Sequence, residues 1–162
     1  MCRLTLPVLS LAILAACQPA TTELTEEQKA EIAAEVNAIH AEFWDAWRAA
    51  DYDRGVSYLD SANLVFAYEG TVFGFATFDE MWRPAFANIA SQTISIGDSR
   101  TTVLAPDVVC IMDAATYTTT DTLGVTSPQE SFAFTGVWVR RDGEWKLLLV
   151  HESVPTSEGE GM

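Results

Sequence analysis

The sequence predicts an α+β domain in which N-terminal helices pack on one face of an antiparallel sheet. In the first half of the chain, apolar residues recur at helical spacing, from Ile32 to Trp47 and again from Phe78 to Phe86. After residue 92 the pattern changes to strict alternation, which is typical of strands. Four alternating runs follow one another with short connections, and this arrangement predicts a meander.

The helical half predicts two longer helices with a short one between them. Thr25 and Gln28 have the spacing of a capping box and predict the start of the first helix. Its apolar stripe consists of Ile32, Val36, Ile39, Phe43 and Trp47, with His40 and Trp44 along the edge. A short helix is expected over 53–60, with Asp51 and Asp53 as caps, and short strands over 63–68 and 71–75. A second capping box, Thr77 with Glu80, predicts the start of the last helix, which contains Pro84.

The last two predicted strands, 132–140 and 145–153, are joined by Asp142-Gly143, the strongest short-range signal for a two-residue hairpin. This turn pairs Trp138 with Leu147 and Phe134 with His151. Alternation then places one set of side chains on a shared face, namely Phe132, Phe134, Gly136, Trp138, Trp145, Leu147, Leu149, His151 and Ser153. His151 is thus predicted as the polar residue of an aromatic face.

The opposite face of this hairpin is too apolar for full exposure and too mixed for a core. It carries Ala133, Thr135, Val137, Val139, Lys146, Leu148, Val150 and Glu152. Such a face suits a homodimer interface.

Composition limits the classes of function. The chain has 162 residues, enough for one domain, and a net charge of −14, which disfavours binding to nucleic acid. The two histidines show no metal-ligand spacing, and neither a phosphate-binding loop nor a serine nucleophile elbow is present. We therefore predict no metal and no cofactor.

The N-terminus predicts export and lipid anchoring. A basic start is followed by an apolar segment that is too short to span a membrane and ends in Leu-Ala-Ala-Cys, which resembles a bacterial lipobox. The alternative is an ordinary secretory signal that contains a cysteine. The lipobox implies a signal peptide at 1–16, a lipidated Cys17 in a tether at 17–24, and, with Gln18, location at the outer membrane facing the periplasm. Cys110, in an apolar run, is expected to be a buried structural thiol.

Two stretches, FWDAWRAADYDRGVSYL and VWVRRDGEWKLLLVHES, resemble the SnoaL-like members of the nuclear transport factor 2-like superfamily. The resemblance implies a cone-shaped fold over 25–155, with a pocket between the helices and a curved sheet, and frequent dimerisation. The tail 156–162 is expected to be disordered. Pocket residues are then expected to be His151, Phe43, Trp47, Phe134, Trp138, Tyr58, Tyr68 and Tyr117.

The same resemblance argues against the ketosteroid isomerase mechanism. It places Phe43 at the position of the oxyanion-donating tyrosine and Ala67 at that of the catalytic aspartate. A phenyl ring cannot donate a hydrogen bond to an oxyanion, and a methyl group cannot accept a proton.

The resulting hypothesis is a small, largely apolar ligand bound in the cone, with His151 as its polar contact and the best candidate for catalysis. A satisfied histidine at the rim of the core is the alternative for this residue. Two other functions remain open. One is an isomerase, dehydratase or cyclase that combines His151 with a tyrosine or with Asp113, which shares a strand face with Tyr117. The other is a homodimeric interaction protein without a ligand.

Overall fold

The computed structural model of the protein describes residues 23–155. The predicted signal peptide 1–16, Cys17, most of the tether 17–24 and the tail 156–162 lie outside this range. No helix between residues 23 and 155 combines the length and the apolar composition needed to cross a membrane.

The helical half contains α1 (Glu26–Arg48), α2 (Tyr52–Ser57) and α3 (Phe75–Ala87). The predicted capping box of α1 is confirmed, because Thr25 and Gln28 each accept a hydrogen bond from the other's backbone N–H. The capping box predicted for α3 is wrong, since that helix already begins at Phe75 with Gly74 as its N-cap. Asp51 caps α2 as predicted, because its carboxylate accepts the Arg54 backbone N–H.

The sheet has six strands in the order β2-β1-β6-β5-β4-β3. The strands are β1 (Val65–Tyr68), β2 (Thr71–Phe73), β3 (Ile89–Ala105), β4 (Val108–Asp121), β5 (Glu130–Arg141) and β6 (Glu144–Ser153). Strands β3 to β6 form the predicted antiparallel meander. Strand β1 joins it by pairing parallel to β6. The predicted α+β fold class is confirmed.

The hairpin between β5 and β6 departs from the predicted register at one residue. The Asp142-Gly143 turn has positive φ at both positions, and the predicted pairing of Trp138 with Leu147 is confirmed. Val137, however, pairs with Leu149, so Leu148 is an extra residue on β6 and forms a β-bulge.

Beyond the bulge, the pairing of Phe134 with His151 is wrong, because Phe134 pairs with Glu152 and Thr135 pairs with His151. A one-residue shift exchanges the two faces of a strand. Val150, only 2% exposed, and Glu152 therefore lie on the inner face, which packs against the helices. His151 lies on the outer face and is exposed.

The inner face is closed by packed side chains at the end nearest the Asp142-Gly143 turn. Trp138 and Leu147 are fully buried, and Phe134 is almost so. Gly136 leaves no open space for a ligand, because a Cβ atom there would lie 2.7 Å from Leu147 Cδ2 and 2.8 Å from Phe134 Cε1. This end of the cone is core, whereas a cavity lies towards α3.

Candidate functional site

A cavity of about 330 Å³ lies between the inner face of the sheet and the helices α1 and α3. Its walls are dominated by aromatic rings, namely Phe43, Trp44, Trp47, Phe66, Tyr68, Phe78, Trp82, Phe86, Tyr117, Phe132 and Phe134. The volume is at the lower end of the roughly 300–1,000 Å³ of ligand sites, and the apolar lining is typical of them. The cavity therefore suits a small apolar molecule.

Helical and strand periodicity explain why these rings converge. On α1, Phe43 and Trp47 are one turn apart, and on α3 the pair Phe78 and Trp82 has the same spacing. The strands contribute alternate residues, such as Phe132 and Phe134 on β5. The stripes that sequence periodicity identified as core thus also form the cavity wall.

Glu152 is the one charged residue among the side chains that line the cavity. It lies on β6 between Tyr68 of β1 and Phe134 of β5, its partners in the sheet. No side chain of residues 23–155 forms a hydrogen bond or an ion pair with its carboxylate. Burial raises the pKa of this carboxyl group from 4.5 to about 7. A carboxyl group with such a pKa can accept or donate a proton near neutrality.

Tyr68 and Tyr117 line this end of the cavity, and two exposed acids, Glu69 and Glu130, act on their hydroxyls from outside its lining. The Tyr117 hydroxyl donates a hydrogen bond of 2.6 Å to Glu130. Burial raises the pKa of both Tyr68 and Tyr117, and the negative charges of Glu130 and Glu152 raise it further. Glu69 also raises the pKa of Tyr68. Both phenols therefore stay protonated and remain hydrogen-bond donors at neutral pH.

A buried polar cluster lies behind the aromatic wall. The His40 Nε2 atom is 2.7 Å from Asp113 Oδ2, and the Trp44 indole N–H is 3.0 Å from each of these two atoms. Burial acts to raise the pKa of Asp113, but hydrogen bonds from His40, Ser99 and Trp44 outweigh it and hold that pKa below its ordinary value. Because Trp44 lines the cavity, the cluster holds one wall ring in place.

Sequence periodicity missed this cluster because it placed His40 at the edge of the apolar stripe. His40 is only 6% exposed and Asp113 only 3%. Two signals were present: His40 and Trp44 are one helical turn apart, and Asp113 continues the inward alternation of Val109 and Ile111. Tyr117 continues the same alternation, so the predicted shared face of Asp113 and Tyr117 is correct.

Five of the predicted pocket residues line the cavity, namely Phe43, Trp47, Phe134, Tyr68 and Tyr117. Three do not line it. Trp138 is buried in the packed end of the cone, and the Tyr58 hydroxyl donates to Glu42 at the surface. His151 lies outside the cavity because of the bulge at Leu148.

Ala67 pairs with His151 and lies on the outer face, so the cavity-facing residue at the end of β1 is Tyr68. Cys110 is half-buried, and burial raises the pKa of its thiol. Within residues 23–155, no three His, Cys, Asp or Glu side chains are grouped so that they could hold a metal ion.

Comparison with known proteins agrees with this architecture. The family model of the SnoaL-like domain matches residues 36–157. A nuclear transport factor 2-like superfamily protein from Salmonella enterica has a TM-score of 0.68 at 15% identity, covering 82% of this chain and 96% of that one. A comparison with curated protein sequences found no match.

Two further solved structures show the range of proteins that share the fold. A proposed dehydratase from Streptomyces avermitilis has a TM-score of 0.66 at 16% identity, covering 80% of this chain and 99% of that one. The association domain of C. elegans CaMKII has a TM-score of 0.63 at 13% identity, covering 78% and 98%. At these identities the likeness establishes the fold alone.

Proposed function

Because the chain belongs to the SnoaL-like domain family, we propose that its cavity binds a small, largely apolar ligand, with Glu152 as the charged contact. The observation that carries this proposal is an aromatic cavity of about 330 Å³ whose lining contains a single charged side chain. Apolar walls supply the affinity, and a few polar groups fix the orientation of the ligand. His151, on the outer face, has no part in this site.

Two alanines on α3 allow a direct test. Ala85 lines the cavity and is exposed, whereas Ala87, also exposed, is on the same helix and does not line it. Ala85→Trp therefore fills the cavity from its mouth, and Ala87→Trp is the matched control. We expect the neutral fluorescent probe N-phenyl-1-naphthylamine to bind wild type and A87W at one site and to lose binding in A85W. Equal binding by all three proteins, or none by wild type, would contradict the proposal and favour an interaction protein without a ligand.

A second candidate function is an isomerase or dehydratase that transfers a proton through Glu152. The observation that favours it is the position of Glu152 in the cavity beside its strand partner Tyr68, and burial raises the pKa of this carboxyl to about 7. Such enzymes begin by removing a proton next to a carbonyl group. If the protein catalyses this step, deuterium from heavy water should enter β-tetralone in wild type and not in Glu152→Gln. Exchange at the same rate in both proteins, or none above buffer, would exclude this reaction at Glu152.

We also propose that the N-terminus is processed as a lipoprotein signal and that the lipid on Cys17 holds the domain at the outer membrane, facing the periplasm. Support comes from the Leu-Ala-Ala-Cys motif and the short apolar segment before it. Cys17→Ser should release the chain from the membrane fraction of a Gram-negative host. An unchanged distribution would contradict lipid anchoring.

Finally, we propose that the outer face of the sheet forms a homodimer interface. Beyond the bulge the face differs from the predicted one, since Leu149 and His151 replace Val150 and Glu152. The side chains at the centre of this face are small and mostly apolar, namely Ala114, Ala133, Thr135 and Val137. Structural neighbours of this fold include association domains of protein kinases.

A further inference from the structure

Resting on the proposed function, we infer that the cavity selects a small hydrophobic cation, of the aryl- or alkylammonium class, over a neutral ligand of the same shape. Three observations support it: the surroundings of Glu152, the aromatic rings that line the same cavity, and the charges near that end of the cavity.

The first reason is that Glu152 has no positive partner within residues 23–155. In this part of the chain, no lysine, arginine or histidine lines the cavity. None of the ion pairs within residues 23–155 involves Glu152, Glu130 or Glu69. Glu152 is half-buried, and a carboxylate that is partly withdrawn from water without a counter-charge is unfavourable. A bound cation removes that cost. A neutral or anionic ligand cannot.

The second reason is the arrangement of rings near this carboxylate. Tyr68, the strand partner of Glu152, is edge-on to Trp82 with ring centroids 5.3 Å apart. Trp82 also contacts Phe66 and Phe78, with centroids 6.1 and 5.7 Å apart. The faces of aromatic rings attract cations, Trp most strongly. A carboxylate and a group of rings therefore converge on one volume, which is the chemistry that recognises an ammonium group.

The third reason is the wider field. Glu69 and Glu130 lie close enough to Tyr68 for their charges to raise its pKa, as does Glu152. The whole chain carries a net charge of −14. Acidic groups around a cavity raise the local concentration of cations and repel carboxylates and phosphates. The field and the local contacts thus favour the same class of ligand.

Binding of a cation should also be linked to release of a proton from Glu152. The charge of this carboxyl acts on the hydroxyls of Tyr68 and Tyr117, which line the same cavity. The exposed carboxylates of Glu69 and Glu130 act on these tyrosines from outside the cavity lining. Both tyrosines stay protonated near neutrality, because their pKa values are raised. Affinity for a permanently charged cation should therefore increase as pH rises through about 7 and then level off.

The test uses the full chain and displacement of N-phenyl-1-naphthylamine. Benzyltrimethylammonium carries a permanent charge, and neopentylbenzene is its neutral isostere. We expect wild type at about pH 8 to prefer the cation by about tenfold, and Glu152→Gln to lose most of that preference. Glu80→Gln makes the same change in charge on the exposed surface of α3, away from the cavity, and should keep the preference.

The outcomes separate this inference from the proposed function. If the fluorescent probe binds but the cation and its isostere compete equally in wild type, the cavity binds apolar ligands and the cation inference is wrong. A preference that survives in Glu152→Gln would also overturn it, because Glu152 would not be the recognising group. If the probe does not bind wild type at all, both the proposed function and the inference fail. Unfolding midpoints of the variants confirm that each is folded.

Discussion

The carboxylate of Glu152 forms no ion pair with any side chain of residues 23–155. Its pKa in the folded chain, about 7, lies above the ordinary value of 4.5, so the ionised form destabilises the fold. This destabilisation is absent below pH 4.5, grows as pH rises and is complete above about pH 7. A shift of this size corresponds to about 3 kcal/mol. The group is maintained at a cost in stability, which is typical of a functional carboxyl.

A first prediction follows for Glu152→Gln. Wild type should lose up to about 3 kcal/mol of unfolding free energy between about pH 5 and pH 8, because Glu152 ionises in that range. The variant, which cannot ionise there, should be more stable than wild type at the higher pH and equal to it at the lower. Urea unfolding at several pH values measures this, with Glu80→Gln as the control. Parallel pH profiles for wild type and Glu152→Gln would show that the carboxyl is not buried.

Ionisation of Asp113 has the opposite effect on stability from ionisation of Glu152. The pKa of Asp113 is lowered, so its ionised form stabilises the fold. That stabilisation is present above the ordinary pKa of 3.8 and is lost as pH falls through the lowered value. His40→Leu leaves the buried carboxylate without its main partner, so we expect a loss of about 3–5 kcal/mol at neutral pH.

The double variant, His40→Leu with Asp113→Leu, should recover part of this loss, because it removes the unpaired charge but leaves the Trp44 indole N–H without an acceptor. Chemical unfolding of the single and double variants measures the coupling. Lys29→Gln is the control, because it breaks the exposed ion pair with Glu26 and should barely change the midpoint of chemical unfolding. A double variant less stable than either single one would contradict the account.

At the scale of the element, strand β6 shows what a turn can and cannot predict. The Asp142-Gly143 hairpin sets the register as far as Trp138 and Leu147, and the predicted pairing of these two residues is found. No feature of the sequence marks Leu148 as the bulged residue, because an apolar side chain suits either face of this strand. The bulge allows Val150 to be buried in the packed inner face. It also places Glu152 on the inner face, where His151 was predicted.

The packed end of the cone gives the prediction at this scale. In Gly136→Ala the added methyl group would collide with Leu147 and Phe134, so we expect a loss of about 1–3 kcal/mol. Gly74→Ala is the control, because its Cβ would meet only a carbonyl oxygen at 3.5 Å and its φ of −98° suits alanine. It should cost about 0.5 kcal/mol, as an N-cap change. Equal losses in urea unfolding would mean that open space remains beside Gly136.

At the scale of the whole molecule, periodicity and turn chemistry predicted the helices, the meander and part of the aromatic wall. Phe43, Trp47 and Phe134 could be placed because each belongs to a regular apolar pattern. The cavity itself could not be predicted, since it is the volume left between helices and sheet after packing. Glu152 was missed for a different reason, because its orientation depends on one inserted residue upstream.

The proposed homodimer gives a whole-molecule prediction. Met112 lies on the outer face opposite Thr135 and is 54% exposed in one chain. Light scattering should show wild type as a dimer and Met112→Glu as a monomer, because a charge at the centre of an apolar interface opposes association. Val72→Glu makes the same change at the far edge of the sheet, on a residue 67% exposed, and should remain dimeric. A monomeric wild type would contradict the interface.

The proposed site requires the carboxyl group of Glu152, a half-buried residue, to lie in the ligand cavity and to be withdrawn from water. Its most direct test is a pH titration of the glutamate carboxyl carbons by ¹³C NMR, with the Glu152 signal assigned from its absence in Glu152→Gln. We expect a titration midpoint of about 7 for this signal. A midpoint near 4.5, the ordinary value for glutamate, would place the carboxyl in water and contradict both the register of β6 and the proposed site.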